Sequence, residues 1–110
     1  MDRKMYQLTE KQAASLNRDR RAMPSDDDIK ARAKREHKSW GLLKRDITLA
    51  LLKTDPEYVR GIWQARVDRA NGLDYSEERN ESAYNLGYYR GYTDYESHYR
   101  GGMRVPAEYL

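Results

Sequence analysis

Six of the chain's ten tyrosines lie in one stretch, Ser76 to Gly102, and the chain contains no phenylalanine. A helix turns about 100° per residue, so Tyr84, Tyr88, Tyr92, Tyr95 and Tyr99 share an arc of roughly 80°, while Tyr89 points away. Gly87 and Gly91 flank this stripe four residues apart. A glycine inside a helix costs about 1 kcal/mol relative to alanine. Two so close together imply either another backbone packed against them or a local bend. The opposite face, with Leu86, Arg90, Thr93, Ser97 and Arg100, reads as solvated.

Apolar residues make up 38% of the 110 residues and charged residues 35%, near the hydrophilic edge of what folds as a compact monomer. Leu, Ile, Val and Trp alone would form only a small core. Tyrosine rings, self-association or a partner must add to it, and each buried ring needs a mate for its hydroxyl. The absence of cysteine excludes disulfides, thiolate nucleophiles and cysteine-bound metal. No apolar leader opens the sequence, and the longest apolar-type run, Ile47 to Leu52 with Thr48 inside it, is far too short to span a bilayer. A cytoplasmic protein without a membrane partner is expected.

The formal charge of +3 is unevenly spread. Residues 1–53 hold 14 Lys+Arg against 8 Asp+Glu, and residues 54–110 hold 7 against 10. All seven lysines lie in the first half, and the second half uses only arginine. Such asymmetry assigns different work to the two ends.

Local signals mark the helices. Thr9 and Gln12 form a capping box for a helix over about 10–21, with Leu8 placed to staple onto Ala13. Ser25 caps a second helix, whose first turn holds Asp26, Asp27 and Asp28. The three aspartates suit the helix dipole and lack the alternating spacing of a calcium loop. This helix is read as running to about Lys53, with Ile29, Ala33, Trp40, Leu43, Ile47 and Leu51 on one stripe and Gly41 as a kink or break. Its first half projects as a basic arm, and 42–52 is read as buried on more than one face. Thr54-Asp55-Pro56 starts the next helix, which ends at Asn71-Gly72 in a left-handed turn. Ser76 is read as the cap of the tyrosine helix, and Gly101-Gly102 as its stop.

These readings predict an all-α, small three- or four-helix domain with a basic N-terminal helical arm and a tyrosine-rich C-terminal helix. It is one domain over 1–110, with 1–24 as a flexible lead and 103–110 as an extended tail. The rhythm A-Y-x-x-G-Y-x-x-G-Y at Ala83 to Tyr92 resembles short helical segments in small bacterial and phage-encoded accessory proteins. It covers about a tenth of the chain and implies no particular fold or activity.

Enzyme motifs are absent. His37 and His98 are not at metal-binding spacing, and no nucleophile elbow, P-loop or dinucleotide fingerprint occurs. No catalytic residue, metal ligand or cofactor is assigned, and a small enzyme is a remote alternative. Tyr and Arg are residues enriched at interface hot spots. The leading expectation is a non-enzymatic binding protein of the kind phages and mobile elements encode to modulate a host protein or nucleoprotein machine. Tyr88, Tyr92, Tyr95 and Tyr99 would anchor a protein partner, with Arg90 and Arg100 on the rim. Within the stripe, Tyr84 and Tyr88 are nearest to core contacts, and Tyr95 and Tyr99 are the exposed anchors. The alternative is a basic nucleic-acid-binding regulator using Arg18, Arg20, Arg21, Lys30, Arg32, Lys34, Arg35 and Lys38 on phosphates. A homo-oligomer remains open in either case.

Overall fold

A computed structural model describes residues 3–95 and 104–110. The fold is all-α. Five helices occur among the described residues: α1 (Glu10–Asp19), α2 (Asp26–Arg35), α3 (Trp40–Leu52), α4 (Pro56–Ala70) and α5 (Ala83–Thr93). They form two packed pairs joined by residues 53–55: α2 and α3 make an antiparallel hairpin, with Asp26 against Lys44 and Lys30 against Trp40, whereas α4 and α5 run in the same direction, with Tyr58 against Gly87 and Ile62 against Gly91. None is long and apolar enough to cross a membrane among the described residues.

The local caps act as their chemistry dictates. Thr9 Oγ1 accepts from the Gln12 N–H at 3.0 Å, and Gln12 Oε1 accepts from the Thr9 N–H at 3.0 Å. Ser25 accepts from the Asp28 N–H, and Asp55 accepts from the Glu57 N–H beside Pro56 at the helix start. Gly72 takes φ 72°, the left-handed conformation that ends α4.

The long helix expected over 26–53 is two helices. The break precedes Gly41 and is centred on His37, which has φ 53°. The Lys38 N–H bonds the Ala33 carbonyl at 2.9 Å, and the His37 N–H bonds the Lys34 carbonyl at 3.4 Å. This is a Schellman ending with histidine where glycine is usual. The reversal lets Ile29 and Ala33 meet Leu43 and Ile47, which a straight helix would hold far apart. The basic segment is therefore one limb of a hairpin. The expectation that 42–52 is buried on several faces fails. In α3 only Leu43 is buried, and Leu42 and Leu49 are 61% and 45% exposed.

The larger core lies between α4, α5 and both chain ends. The N-terminal lead is not loose throughout. Tyr6 is 2% exposed and packs with Val67 and Val105, flanked by Leu8, Trp63 and Tyr109. Its ring stacks on Trp63 at 5.4 Å and tilts against Tyr109 at 5.0 Å. The C-terminal end is not simply extended, because Ala107–Tyr109 forms a 3-10 turn that brings Tyr109 to this core.

The glycines set the α4–α5 distance. A Cβ on Gly87 would overlap the Tyr58 carbonyl oxygen, one on Gly91 would press on the Ile62 backbone, and one on Gly61 would overlap the Tyr84 carbonyl. The glycine notch is filled by α4. Gly87→Ala should therefore cost about 2–4 kcal/mol. Gly41→Ala, where the added methyl meets only Ser39 Oγ at 3.8 Å, should be neutral or raise stability by up to about 1 kcal/mol. Urea midpoints of the two variants check this contrast.

Candidate functional site

The face of α4 that meets α5 carries Gly61, Gln64, Ala65 and Asp68, spaced as one helical stripe. Gln64 and Asp68 are both 0% exposed. A carboxylate taken wholly out of water needs donors around it. Asp68 receives the Tyr88 hydroxyl at 2.6 Å, the Ser76 hydroxyl at 3.1 Å and Gln64 Nε2 at 2.9 Å. Arg3 adds its guanidinium, with Nη2 at 2.9 Å. The same Arg3 reaches Glu77 at 2.6 Å, and Glu77 accepts the Tyr84 hydroxyl at 2.8 Å. Gln64 also accepts the Tyr6 N–H at 2.7 Å and donates to the Lys4 carbonyl at 2.8 Å. One buried acid thus gathers the N-terminal lead, the 74–82 loop and α5 onto α4.

This network explains why the tyrosine helix starts late. Ser76 does not cap it, because its hydroxyl serves Asp68 and Tyr88. Ser82 is the cap, accepting from the Asn85 N–H at 3.2 Å. Residues 76–82 form a loop that carries Ser76 and Glu77 to the node.

The node's groups are tuned for holding. Burial pushes the Tyr88 hydroxyl up to about 12, and its bond to Asp68 adds to the rise. Burial raises Tyr84 too, reinforced by its bond to Glu77. Burial acts to lower Arg3, but its bonds to Asp68 and Glu77 outweigh that and hold it well above the ordinary arginine value. A carboxylate saturated with donors and a phenol that resists ionisation make a clamp, not an acid–base pair. No group of three or more metal-ligating side chains occurs among the described residues.

Around the node, arginines cover the tyrosine rings. Arg60 lies over Tyr84 at 4.3 Å, Arg3 over Tyr88 at 5.8 Å, and Arg69 over Tyr92 at 4.9 Å and Tyr95 at 5.2 Å. A planar guanidinium stacks on a ring face as an ammonium does not. That gives a physical reason for the second half's exclusive use of arginine.

The outer side of α5 is different. Tyr75 meets Tyr88 and Tyr92 edge-on, at 5.0 and 5.3 Å, and approaches Tyr89 at 6.5 Å. Arg79 sits over Tyr75 at 5.4 Å and Tyr89 at 5.9 Å. Beside them opens a cleft of about 370 Å³ lined by Tyr75, Arg79, Asn80, Glu81, Asn85, Leu86 and Tyr89. Tyr89 is 50% exposed and Leu86 38%.

The residues expected to anchor a partner are thus dispersed. Tyr88 is fully buried in the node, so its ring offers no docking surface. Tyr92 is half-buried, with its hydroxyl on the Leu73 carbonyl at 3.2 Å. Tyr95 is half-buried beside Arg69, and Arg90 is exposed near Asp94 at 3.9 Å. Tyr99 and Arg100, and the Gly101-Gly102 stop, lie outside the described residues. Of the eight basic candidates, all are exposed. Arg32 and Lys38 pair with Glu36, and Lys30 lies over Trp40 at 4.8 Å. Arg18, Arg20, Arg21, Lys34 and Arg35 face no carboxylate partner among the described residues. Sequence reasoning missed Gln64, Asp68, Tyr75 and Arg79. The available signal for the first two was their spacing from Gly61, which puts polar and small residues on one face.

Compared with protein families, with curated proteins and with solved structures, the chain finds no match.

The node carries its own test. Tyr88→Phe should cost about 2 kcal/mol by removing a charge-assisted bond. The raised phenols stay protonated in the fold but ionise near pH 10 when unfolded. Their stabilisation is complete below about pH 10 and is lost as pH rises toward 12. Urea midpoints across that window should fall steeply for the native chain and less steeply for Tyr88→Phe.

Proposed function

We propose that the protein is a non-enzymatic binding protein that docks on, and modulates, a larger protein assembly through the outer face of α5 and the neighbouring cleft. The observation that supports this reading is the Tyr75–Arg79–Tyr89 cleft. It is an accessible aromatic and guanidinium surface on a part of the chain fixed from behind by the buried node. Arg79 and Arg90 border Leu86 and Tyr89, which suits a partner segment that carries an apolar side chain beside carboxylates. The face differs from the one expected from the tyrosine stripe. Of the stripe's described members Tyr88 is buried and Tyr84, Tyr92 and Tyr95 are half-buried, and the proposed contact residues are Leu86, Tyr89 and Arg90, with Arg79 and Tyr75.

A second reading draws on the cations of α1, the 20–25 connection and α2. Of the eight, only Arg32 and Lys38 have carboxylate ion-pair partners among the described residues, which leaves the other six charges for phosphates. Capture from a cell lysate separates the two readings. The native chain should retain a protein partner after nuclease digestion. The Arg79→Ala/Tyr89→Ala variant, with an unchanged circular dichroism spectrum, should lose it by about 30-fold in affinity, the scale of a hot-spot truncation. Equal capture by the variant contradicts docking at this face. Capture that disappears with nuclease favours the nucleic-acid reading.

A further inference from the structure

Helix α3 has the composition of a buried helix and the surroundings of an exposed one. Leu43 and Ile47 turn toward α2. On the opposite side Leu42 and Leu49 are 61% and 45% exposed, two turns apart and about 10 Å along the axis. Arg45 and Asp46 lie between them, both exposed and with no ion-pair partner among the described residues. The molecule is also drawn out. Its radius of gyration is 16.4 Å, with extents of 53 × 27 × 25 Å, where a compact chain of this length has about 13 Å. Residues 20–23 flank the Thr48–Leu52 side of α3 and α2 covers the Leu43–Ile47 side, so the Leu42–Leu49 face is the one left exposed.

The exposed face of α3 reads the same from both ends. The midpoint between residues 45 and 46 is also the midpoint between Leu42 and Leu49. We infer that α3 pairs with α3 of a second copy, antiparallel about a two-fold axis at this midpoint. Leu42 then packs on the partner's Leu49, and Arg45 meets the partner's Asp46, each contact made twice as an isologous interface requires. A parallel pairing would set Arg45 on Arg45 and Asp46 on Asp46, so the charges select the antiparallel arrangement. Lys38 and Lys53 fall at the outer ends of the contact, where solvent screens them and Glu36 already pairs Lys38. Met23, 42% exposed, and the half-buried Leu52 extend the apolar surface. One short helix pair buries less than a standard stable interface, so the dimer forms at micromolar concentrations and is concentration-dependent. This inference stands apart from docking at α5, because the two faces share no residue.

Sedimentation equilibrium of the full chain from about 10 μM to 1 mM tests it. The native chain should pass from monomer to dimer. Leu42→Glu/Leu49→Glu should stay monomeric throughout, with unchanged helicity. Arg45→Glu and Asp46→Lys should each weaken self-association by about 10-fold or more, through like charges set opposite one another. An equimolar mixture of those two chains should associate again, because the carboxylate introduced in the first variant then meets the ammonium introduced in the second. A native chain that stays monomeric at 1 mM overturns the inference. So does a dimer indifferent to the leucine substitutions, a mixture that fails to recover, or an assembly larger than a dimer.

Discussion

A single buried carboxylate sets the terms for the α4/α5 half of the molecule. Asp68 is wholly removed from water, and an ion in that position persists only when donors replace its hydration. Its donors come from four places: Gln64 on its own helix, Arg3 from the lead, Ser76 from the loop and Tyr88 from α5. Satisfying Asp68 therefore requires the chain to close on itself. The glycines make that closure possible by letting α5 lie against the α4 backbone. Electrostatics and close packing here are one arrangement, since Tyr88 reaches Asp68 only at the short separation that Gly61, Gly87 and Gly91 permit.

This arrangement divides the tyrosines by role. Tyr84 and Tyr88 supply ring bodies to a core short of large apolar residues, and their hydroxyls find acids at Glu77 and Asp68. Tyr92 and Tyr95 sit under Arg69. The proposed docking surface, Tyr75–Arg79–Tyr89, is held in place by the same loop and helix. The α2/α3 half has no comparable node. Its core is Ile29, Ala33, Leu43 and Ile47, and its exposed Leu42 and Leu49 form the face proposed for self-association.

Most of what is local was legible in the sequence. The capping box at Thr9, the Ser25 cap, the Pro56 start and the Gly72 stop each depend on residues within four positions, and each sits where its chemistry puts it. What escaped depends on distant contacts. His37 is one of the few non-glycine residue types enriched at positive φ, but it is a far weaker signal than glycine, and Gly41 nearby drew the break to the wrong place; the turn brings Ile29 and Ala33 to Leu43 and Ile47. Ser76 has the form of a helix cap and serves Asp68 instead. Leu42 and Leu49 follow helical spacing but are exposed, because periodicity shows which residues share a face and not whether another part of the chain covers that face.

The claim at the centre is that Asp68 holds the lead, the loop and α5 to α4. Replacing Asp68 by alanine and measuring unfolding in urea at neutral pH tests it most directly. Loss of the acid strands the buried Tyr88 hydroxyl, one Gln64 donor and the part-buried Arg3, so the variant should lose about 3–5 kcal/mol. A loss below about 1 kcal/mol, within the range of an ordinary surface substitution, would contradict the account.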